Sequence, residues 1–178
     1  MDRPPVLGHK TPTETRAMTT SPEDAGFFTL MKQYAPRIIN AVPYAQALGF
    51  ELIDIERGRA FARAPWREDL VGDPETGIIH GGVITALLDN ICGVAVVAAL
   101  DSFKSTATLD LRIDYMRAAT PGEDVIGEAE CYHVTRSVAF VRGWAYHETR
   151  ERIIATASGA FMLNDPGRWG EQGGAREP

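Results

Sequence analysis

The chain has 178 residues, of which 18 are Lys or Arg and 24 are Asp or Glu, for a formal net charge of −6. This length suits a single domain with a sizeable core, and an acidic balance without a basic run argues against a nucleic-acid-binding protein. No apolar signal segment occurs before residue 25, so we expect a cytoplasmic protein that does not insert into membranes.

The cysteines and histidines do not predict a metal site. Cys92 and Cys131 are the only cysteines and have no metal-binding spacing, so we expect two buried free thiols. The four histidines form no zinc motif, since His133 and His147 fall in separate strand-like segments.

The ends of the chain differ in composition from its middle. Residues 1–20 are rich in Thr, Pro and charge, which predicts a flexible leader before a single domain over residues 21–165, followed by a flexible tail over 166–178. Ser21 to Asp24 has the pattern of a helix start. Apolar residues then recur at helical spacing from Phe27 to Ile38, and we expect Pro36 to interrupt that helix.

A short helix and a hairpin are predicted next. Pro43 to Leu48 reads as a helical turn that is stopped by Gly49. Phe50–Glu56 and Arg59–Trp66 alternate around Arg57-Gly58, as the strands of a β-hairpin do. Residues 67–77, rich in acids, Pro and Gly, are expected to form a loop.

Gly77–Leu100 is apolar on every side of a helical wheel, which predicts a central helix surrounded by protein. A membrane span is disfavoured because Asp89 lies near the middle of the stretch. Asp89 is also too far into the helix to be an N-cap. Two interpretations stay open: a buried carboxylate bonded to neighbouring hydroxyl groups, or a carboxylate that lines a cleft.

Four strand-like segments follow the helix, and the first alternates strictly from Thr106 to Met116. Val125–His133, Ser137–His147 and Ile153–Leu163 complete an antiparallel meander. We therefore expect an α+β fold in which an antiparallel sheet of five or six strands wraps around the long helix. In the first strand, one face is predicted to carry Ala107, Leu109, Leu111, Ile113 and Tyr115, and the other Thr108, Asp110, Arg112 and Asp114.

The spacing of His80 and Asp89 constrains any chemistry that they share. Nine residues place them on opposite sides of one helix and about 13.5 Å apart along its axis. One chain therefore cannot bring both into one small site. Two antiparallel copies of the helix, as in a two-fold homodimer, place the start of one beside the middle of the other.

The residues at this point resemble a known family. His80-Gly81-Gly82, Asp89 nine residues after His80, and the Leu-Arg-Ile-Asp-Tyr-Met-Arg segment at 111–117 are similar to the PaaI-type acyl-coenzyme A thioesterases of the hotdog fold. The resemblance covers roughly residues 43–163. It implies that the chain hydrolyses an acyl-CoA, with coenzyme A as part of the substrate, no separate cofactor and no metal.

The resemblance also implies roles for individual residues. Asp89 matches the acid that acts as general base or nucleophile, and Gly81 matches the glycine whose N–H polarises the thioester carbonyl, with His80 beside it. Thr108 matches the residue that positions the attacking water or the acid. The family's loop before the motif usually carries Asn, whereas this chain has Asp73, whose negative charge would repel a developing oxyanion.

Residues for binding the rest of the substrate are predicted as well. Gly82, like Gly81, permits close approach of an acyl chain to the backbone. Arg136-Ser137 match a strand junction that contacts the phosphates or the pantetheine arm in related proteins, and Arg117 is a further candidate of the same kind. Aromatic candidates for an acyl pocket are Tyr34, Phe50 and Trp66.

The sequence leaves other functions on the same fold open. The main alternative to a thioesterase is a non-catalytic acyl-CoA-binding or regulatory protein, in which Asp89 is only a satisfied polar group. A hydratase or dehydratase is a third option, but His80 faces away from its own Asp89. Neither the acyl group nor the choice between a dimer and a tetramer is fixed by the sequence.

Overall fold

A computed structural model of the chain describes residues 26–34 and 42–164. The predicted leader and tail, the helix start at Ser21 and the interruption at Pro36 lie outside the described residues. The helices are α1 (residues 26–34), α2 (Pro43–Leu48) and α3 (Gly81–Ala99). The strands are β1 (Glu51–Glu56), β2 (Arg59–Ala64), β3 (Val71–Asp73), β4 (Ile78–Ile79), β5 (Ser105–Tyr115), β6 (Val125–Val134), β7 (Val138–Tyr146) and β8 (Ala155–Asn164).

Six of these strands form one antiparallel sheet in the order β1-β2-β6-β7-β8-β5. The helix α3 packs against one face of this sheet, mainly on β2, β6 and β7. The predicted architecture, an antiparallel sheet around a long central helix, is therefore confirmed. The predicted hairpin is present too, with Gly58 at a φ of 70° in its turn, a conformation that favours glycine.

The core consists of large side chains on α3 and small residues on the sheet. Leu87, Leu88 and Ile91 are fully buried, and burying each stabilises the fold by about 1.5 to 3 kcal/mol. The strand residues that are buried beneath α3 are mostly Ala or Gly, so the helix lies close to the backbone of the sheet. Those with 0% exposure include Ala60, Ala64, Ala129, Ala139 and Ala145.

Burial of α3 is one-sided within a single chain, which corrects the prediction of a helix surrounded by protein. Thr85 is exposed, and Asp89, Asn90, Gly93 and Val94 are partly exposed. By length and composition, α3 is long and apolar enough to cross a membrane. Half of that apolar stretch is buried inside the protein. The sheet covers only one side of the helix, and the other side carries Asp89.

The strand β5 does not alternate strictly, because a bulge interrupts its pairing with β8 between Thr108 and Asp110. A bulge inserts one residue and reverses which positions face the core beyond it. Leu109, the extra residue, is exposed. The prediction that Thr108 and Tyr115 lie on opposite faces is therefore wrong, since both side chains reach α3.

The predicted loop over residues 67–77 contains structure that the sequence pattern did not indicate. A 3₁₀ turn at Glu68–Leu70 leads into β3, which pairs with β4 in a two-stranded sheet. Gly72 lies against His80: a Cβ at Gly72 would be 2.9 Å from the His80 Cα. This small hairpin therefore packs directly on the start of α3.

Glu128, on the outer face of the sheet, is the one charged residue in the buried set of the described chain, with 2% exposure. Its carboxylate accepts hydrogen bonds from Arg59 at 2.6 Å, Arg150 at 3.1 Å and the Tyr146 hydroxyl at 3.1 Å. Burial, followed by the Glu128 charge, raises the pKa of Tyr146 to about 12. The carboxylate is paired with two cations, as a buried charge requires.

The contact between α3 and β6 predicts the effect of Gly127→Ala. A Cβ at Gly127 would be 2.9 Å from the Leu87 Cγ, and overpacking of this kind costs about 1 to 3 kcal/mol. We expect the free energy of unfolding, measured by urea denaturation at fixed protein concentration, to fall by that amount.

A double-mutant cycle identifies the cause. Leu87→Ala should cost less in the Gly127→Ala background than in the native chain, with a coupling energy of about 1 kcal/mol or more. Strictly additive effects would mean that the two residues do not clash.

Candidate active site

The start of α3 presents a free backbone donor. His80 is the N-cap, and its Nδ1 accepts the Gly82 N–H at 2.9 Å. The neutral ring therefore carries its proton on Nε2. The Gly81 N–H, which has no intrahelical acceptor because it is the first of the helix, has no acceptor elsewhere in the described chain. One amide at the positive end of the helix dipole is thus available to a ligand.

Tyr115 and Thr85 hold the first turn of α3 in place. The Tyr115 hydroxyl donates to the Gly81 carbonyl at 2.6 Å and lies 2.7 Å from the Thr85 Oγ1. Thr85 also donates to the same carbonyl at 3.3 Å. The peptide that follows the free Gly81 amide is therefore fixed from the side of β5.

Asp89 lies in the middle of α3, and Thr108 on β5 donates a hydrogen bond to its Oδ1 at 2.8 Å. The Oδ2 atom accepts no hydrogen bond from the described residues. Asp89 is partly exposed rather than buried. Of the two interpretations that the sequence left open, the structure has the carboxylate that lines a cleft, oriented by one hydroxyl and open to a ligand at its other oxygen.

An apolar cavity of about 510 Å³ opens beside Asp89 and Thr108, within the range of about 300 to 1,000 Å³ that is usual for small-molecule sites. Tyr34 lines it, as predicted. Phe50 and Trp66 do not: Phe50 is buried in the core, and the Trp66 Nε1 donates to the Gly77 carbonyl at 3.0 Å.

The two halves of the candidate site do not meet within one chain. His80 precedes the helix and Asp89 lies in its middle, about 13.5 Å away along the axis at the rise of an α-helix. A single chain thus has a free amide at one place and a carboxylate with a cavity at another.

Asp73 is committed to its own turn. Its carboxylate accepts hydrogen bonds from the Thr76 hydroxyl at 2.7 Å and the Glu75 N–H at 3.1 Å. These bonds, that from Thr76 first, lower the pKa of Asp73 below its usual value. The side chain stays ionised and cannot donate a hydrogen bond to a carbonyl, so a role in substrate binding stays a prediction.

The predicted arginines lie away from Asp89. Arg136 and Ser137 are exposed in the turn between β6 and β7, next to Thr135, which lines a separate 540 Å³ cavity at the far end of α3. Arg117 lines a 340 Å³ cavity together with Gly81. Its guanidinium donates to the Arg152 carbonyl at 2.6 Å, so it also holds the chain before β8.

Neither cysteine has the character of a nucleophile. Burial raises the pKa of Cys92 to about 12, with the Asp89 charge as the second cause, and that of Cys131 to about 11. Both are thiols at neutral pH, and a thiol is a poor nucleophile. Cys92 is fully buried as expected, whereas Cys131 is only partly buried. No group of His, Cys, Asp or Glu residues within the described ranges is arranged to hold a metal ion.

Comparisons with known proteins identify the family of the chain. A model of the thioesterase superfamily matches residues 76–154, which include both Gly81 and Asp89. A crystal structure of a Pseudomonas aeruginosa protein is 42% identical, with a TM-score of 0.68, over 74% of this chain and 98% of that one. This chain belongs to the PaaI-like hotdog thioesterases.

Two further relatives of this thioesterase have described functions. The medium/long-chain acyl-CoA thioesterase YigI of Escherichia coli is 27% identical in an alignment 148 residues long, which covers 75% of this chain and 93% of YigI. A mutant of the phenylacetic acid degradation protein PaaI from Thermus thermophilus is 26% identical, with a TM-score of 0.59, over 67% of this chain and 97% of that one. The thioesterase is thus a thioester hydrolase by family.

Sequence reasoning missed Tyr115 and Thr85 at the site of this thioesterase. The alternating pattern assigned Tyr115 to an apolar face, and Thr85 is one helical turn after Gly81. A tyrosine on a strand beside a glycine-rich helix start is compatible with ordinary packing, so only the contacts in the fold distinguish it.

The hydrogen bond from Tyr115 to the Gly81 carbonyl predicts the effect of Tyr115→Phe. Losing the hydroxyl removes the short hydrogen bond to the Gly81 carbonyl, and we expect the free energy of unfolding to fall by about 1 kcal/mol. Urea denaturation at a matched protein concentration measures this change. Thr85→Val, which leaves the Tyr115 bond intact, should cost less; the reverse order would mean that Thr85 holds the turn.

Proposed function

We propose that this thioesterase hydrolyses an acyl-CoA to a carboxylate and free CoA, in a site that two copies of the chain share. The observation that carries the proposal is the pairing of Asp89 with Thr108 beside an apolar cavity, together with a free Gly81 amide that the same chain cannot bring to it. Two antiparallel α3 helices related by a two-fold axis place the amide of one copy beside the carboxylate of the other.

The Gly81 amide polarises the thioester carbonyl in this proposal. The start of a helix carries about half a positive charge, and one such donor stabilises the oxyanion of an acyl-transfer transition state by roughly 2.7 to 4 kcal/mol. His80 supports this role indirectly, because its Nδ1 occupies the Gly82 amide and leaves the Gly81 amide as the donor. Gly82 keeps the substrate close to the backbone.

Asp89 acts on the other side of the carbonyl. As a general base it takes a proton from water, whose oxygen adds to the carbonyl carbon; the C–S bond then breaks and the thiolate of CoA recovers a proton. As a nucleophile it forms a mixed anhydride with release of CoA, and water hydrolyses the anhydride. Both routes consume one water and need no metal. Thr108 holds the carboxylate for either route.

The remaining predicted residues bind the CoA portion in this proposal. Arg136 and Ser137 are exposed and free to meet phosphate or the pantetheine arm, and Arg117 lies next to Gly81 at the helix start. Asp73 stays negatively charged in its turn and does not act as a carbonyl donor.

Asp89→Asn tests the chemistry directly. Because an amide cannot accept a proton or form the anhydride, we expect kcat for acyl-CoA hydrolysis to fall by about a hundredfold or more. Release of free thiol measures turnover, and a thermal melt shows that the fold is intact.

A matched control moves the charge instead of removing it. The double variant Asp89→Asn with Asn90→Asp restores the net charge one residue along the helix and should stay inactive. Near-native turnover in Asp89→Asn would remove Asp89 from the mechanism. Absence of turnover in the native protein would instead favour a protein that only binds acyl-CoA.

Hybrid dimers test the shared site. Gly81→Pro deletes the amide hydrogen at a position where proline suits a helix start, and the extended His80 backbone, with ψ at 134°, is compatible with a following proline. Mixed dimers of Asp89→Asn and Gly81→Pro chains, each inactive alone, should regain about half of the native activity, since one of the two sites is then intact.

Gly81→Ala, which keeps the N–H, is the control for the glycine substitution. A Cβ at Gly81 meets the Tyr115 hydroxyl at an ordinary 3.5 Å, so this variant should retain activity. If verified hybrids show no activity, the two groups do not belong to one site.

A further inference from the structure

The cavity beside Asp89 has a wall that the superfamily match does not include. Four residues of α1 line it, although the match begins at residue 76. They are Phe27, Leu30, Met31 and Tyr34. Most other lining residues are apolar as well, so the cavity suits a hydrocarbon group rather than a charged one.

The cavity is elongated along α3. Its lining runs from Asp89 through Gly93 to Val97, which is about 12 Å along the helix axis. Phe103, in the loop before β5, and Phe161, on β8, also line it. A group attached to a carbonyl at Asp89 would thus extend away from the chemistry, between α3 and α1.

Gly93 lies one helical turn beyond Asp89, on the same side of α3. It has no side chain, and a Cβ added there would be 3.6 Å from the Phe161 ring, an ordinary van der Waals contact. Alanine therefore fits at this position, while a larger side chain would project into the cavity.

α1 is attached to the domain by apolar contacts and by an ion pair. Met31 is buried with 6% exposure, and Lys32 forms an ion pair with Asp54 on β1 at 2.9 Å. Leu30 is 55% exposed although it lines the cavity. α1 therefore forms one wall of the cavity, is held to the domain, and presents the apolar side chain of Leu30 to a ligand.

We propose that Gly93 and α1 set the acyl-chain length of this enzyme, by admitting an unbranched medium or long acyl chain along α3. The proposal rests on the proposed thioesterase function. The open space at Gly93 lets the chain pass the first turn beyond Asp89, and α1 contacts its distal part.

Measuring kcat/KM for a series of straight-chain esters, from acetyl-CoA to palmitoyl-CoA, tests the role of Gly93. We expect Gly93→Val to lower the ratio of kcat/KM for palmitoyl-CoA to that for acetyl-CoA by about tenfold or more, since a few blocked methylene contacts are worth that much. Gly93→Ala should lie between the native protein and Gly93→Val. It also serves if the valine variant does not fold, because alanine is favoured over glycine inside a helix.

A second pair of variants tests α1. Leu30→Ala should raise KM for palmitoyl-CoA severalfold with little change in kcat, because Leu30 offers the acyl chain an apolar contact and contributes no group to the chemistry. Gln33→Ala, an exposed position on the same helix that does not line the cavity, should match the native protein.

The outcomes separate this proposal from the function on which it rests. If the native protein hydrolyses acyl-CoA esters but Gly93→Val keeps the native ratio, the proposal fails and the thioesterase function stands. If the native protein hydrolyses none of the esters, the thioesterase function fails. Calorimetry with palmitate then tests whether the cavity binds an acyl chain. Binding that Gly93→Val abolishes would support an acyl pocket, and no binding to the native protein would overturn it.

Discussion

The close packing of α3 on a sheet floor of alanine and glycine is the constraint on which the structure depends. Leucine and isoleucine side chains of the helix fill the space that the small sheet residues leave, and at Gly127 the backbone of β6 approaches Leu87 too closely for a Cβ. This contact uses one side of the helix only. The opposite side carries Asp89 and the cavity, so core packing and the candidate site are divided between two faces of one element.

The helix also explains why the site is divided. The first turn, with its free Gly81 amide, is held by the hydrogen bond from Tyr115 to the Gly81 carbonyl, and the Asp89 carboxylate is held by Thr108. A rigid helix holds them about 12 Å apart, so no side-chain movement within one chain unites them. The bulge in β5 matters here, because it turns Thr108 and Tyr115 towards the same helix.

Elements before the superfamily match, or at its start, add features to this common frame. The β3–β4 hairpin packs on His80 through Gly72, and α1 covers the cavity next to Asp89. On the outer face, Glu128 binds two arginines and Tyr146, which ties β2, β6 and β7 to the chain before β8. In the proposed account, the chemistry lies with α3, and the chain-length specificity lies with Gly93 of the same helix and with α1.

The sequence by itself determined the α+β architecture, the hairpin and the boundaries of the strands to within a few residues, because hydrophobic period and glycine placement are local signals. Through the family resemblance it also marked His80, Gly81 and Asp89 as candidate site residues. Only the tertiary structure decided which side of α3 is open, that Tyr115 reaches Gly81, that Glu128 is buried, and that Tyr34 but not Phe50 lines the cavity. A single bulged residue reverses the face of every position beyond it, and burial depends on which distant segments pack nearby. Neither property is encoded in the period of any one segment.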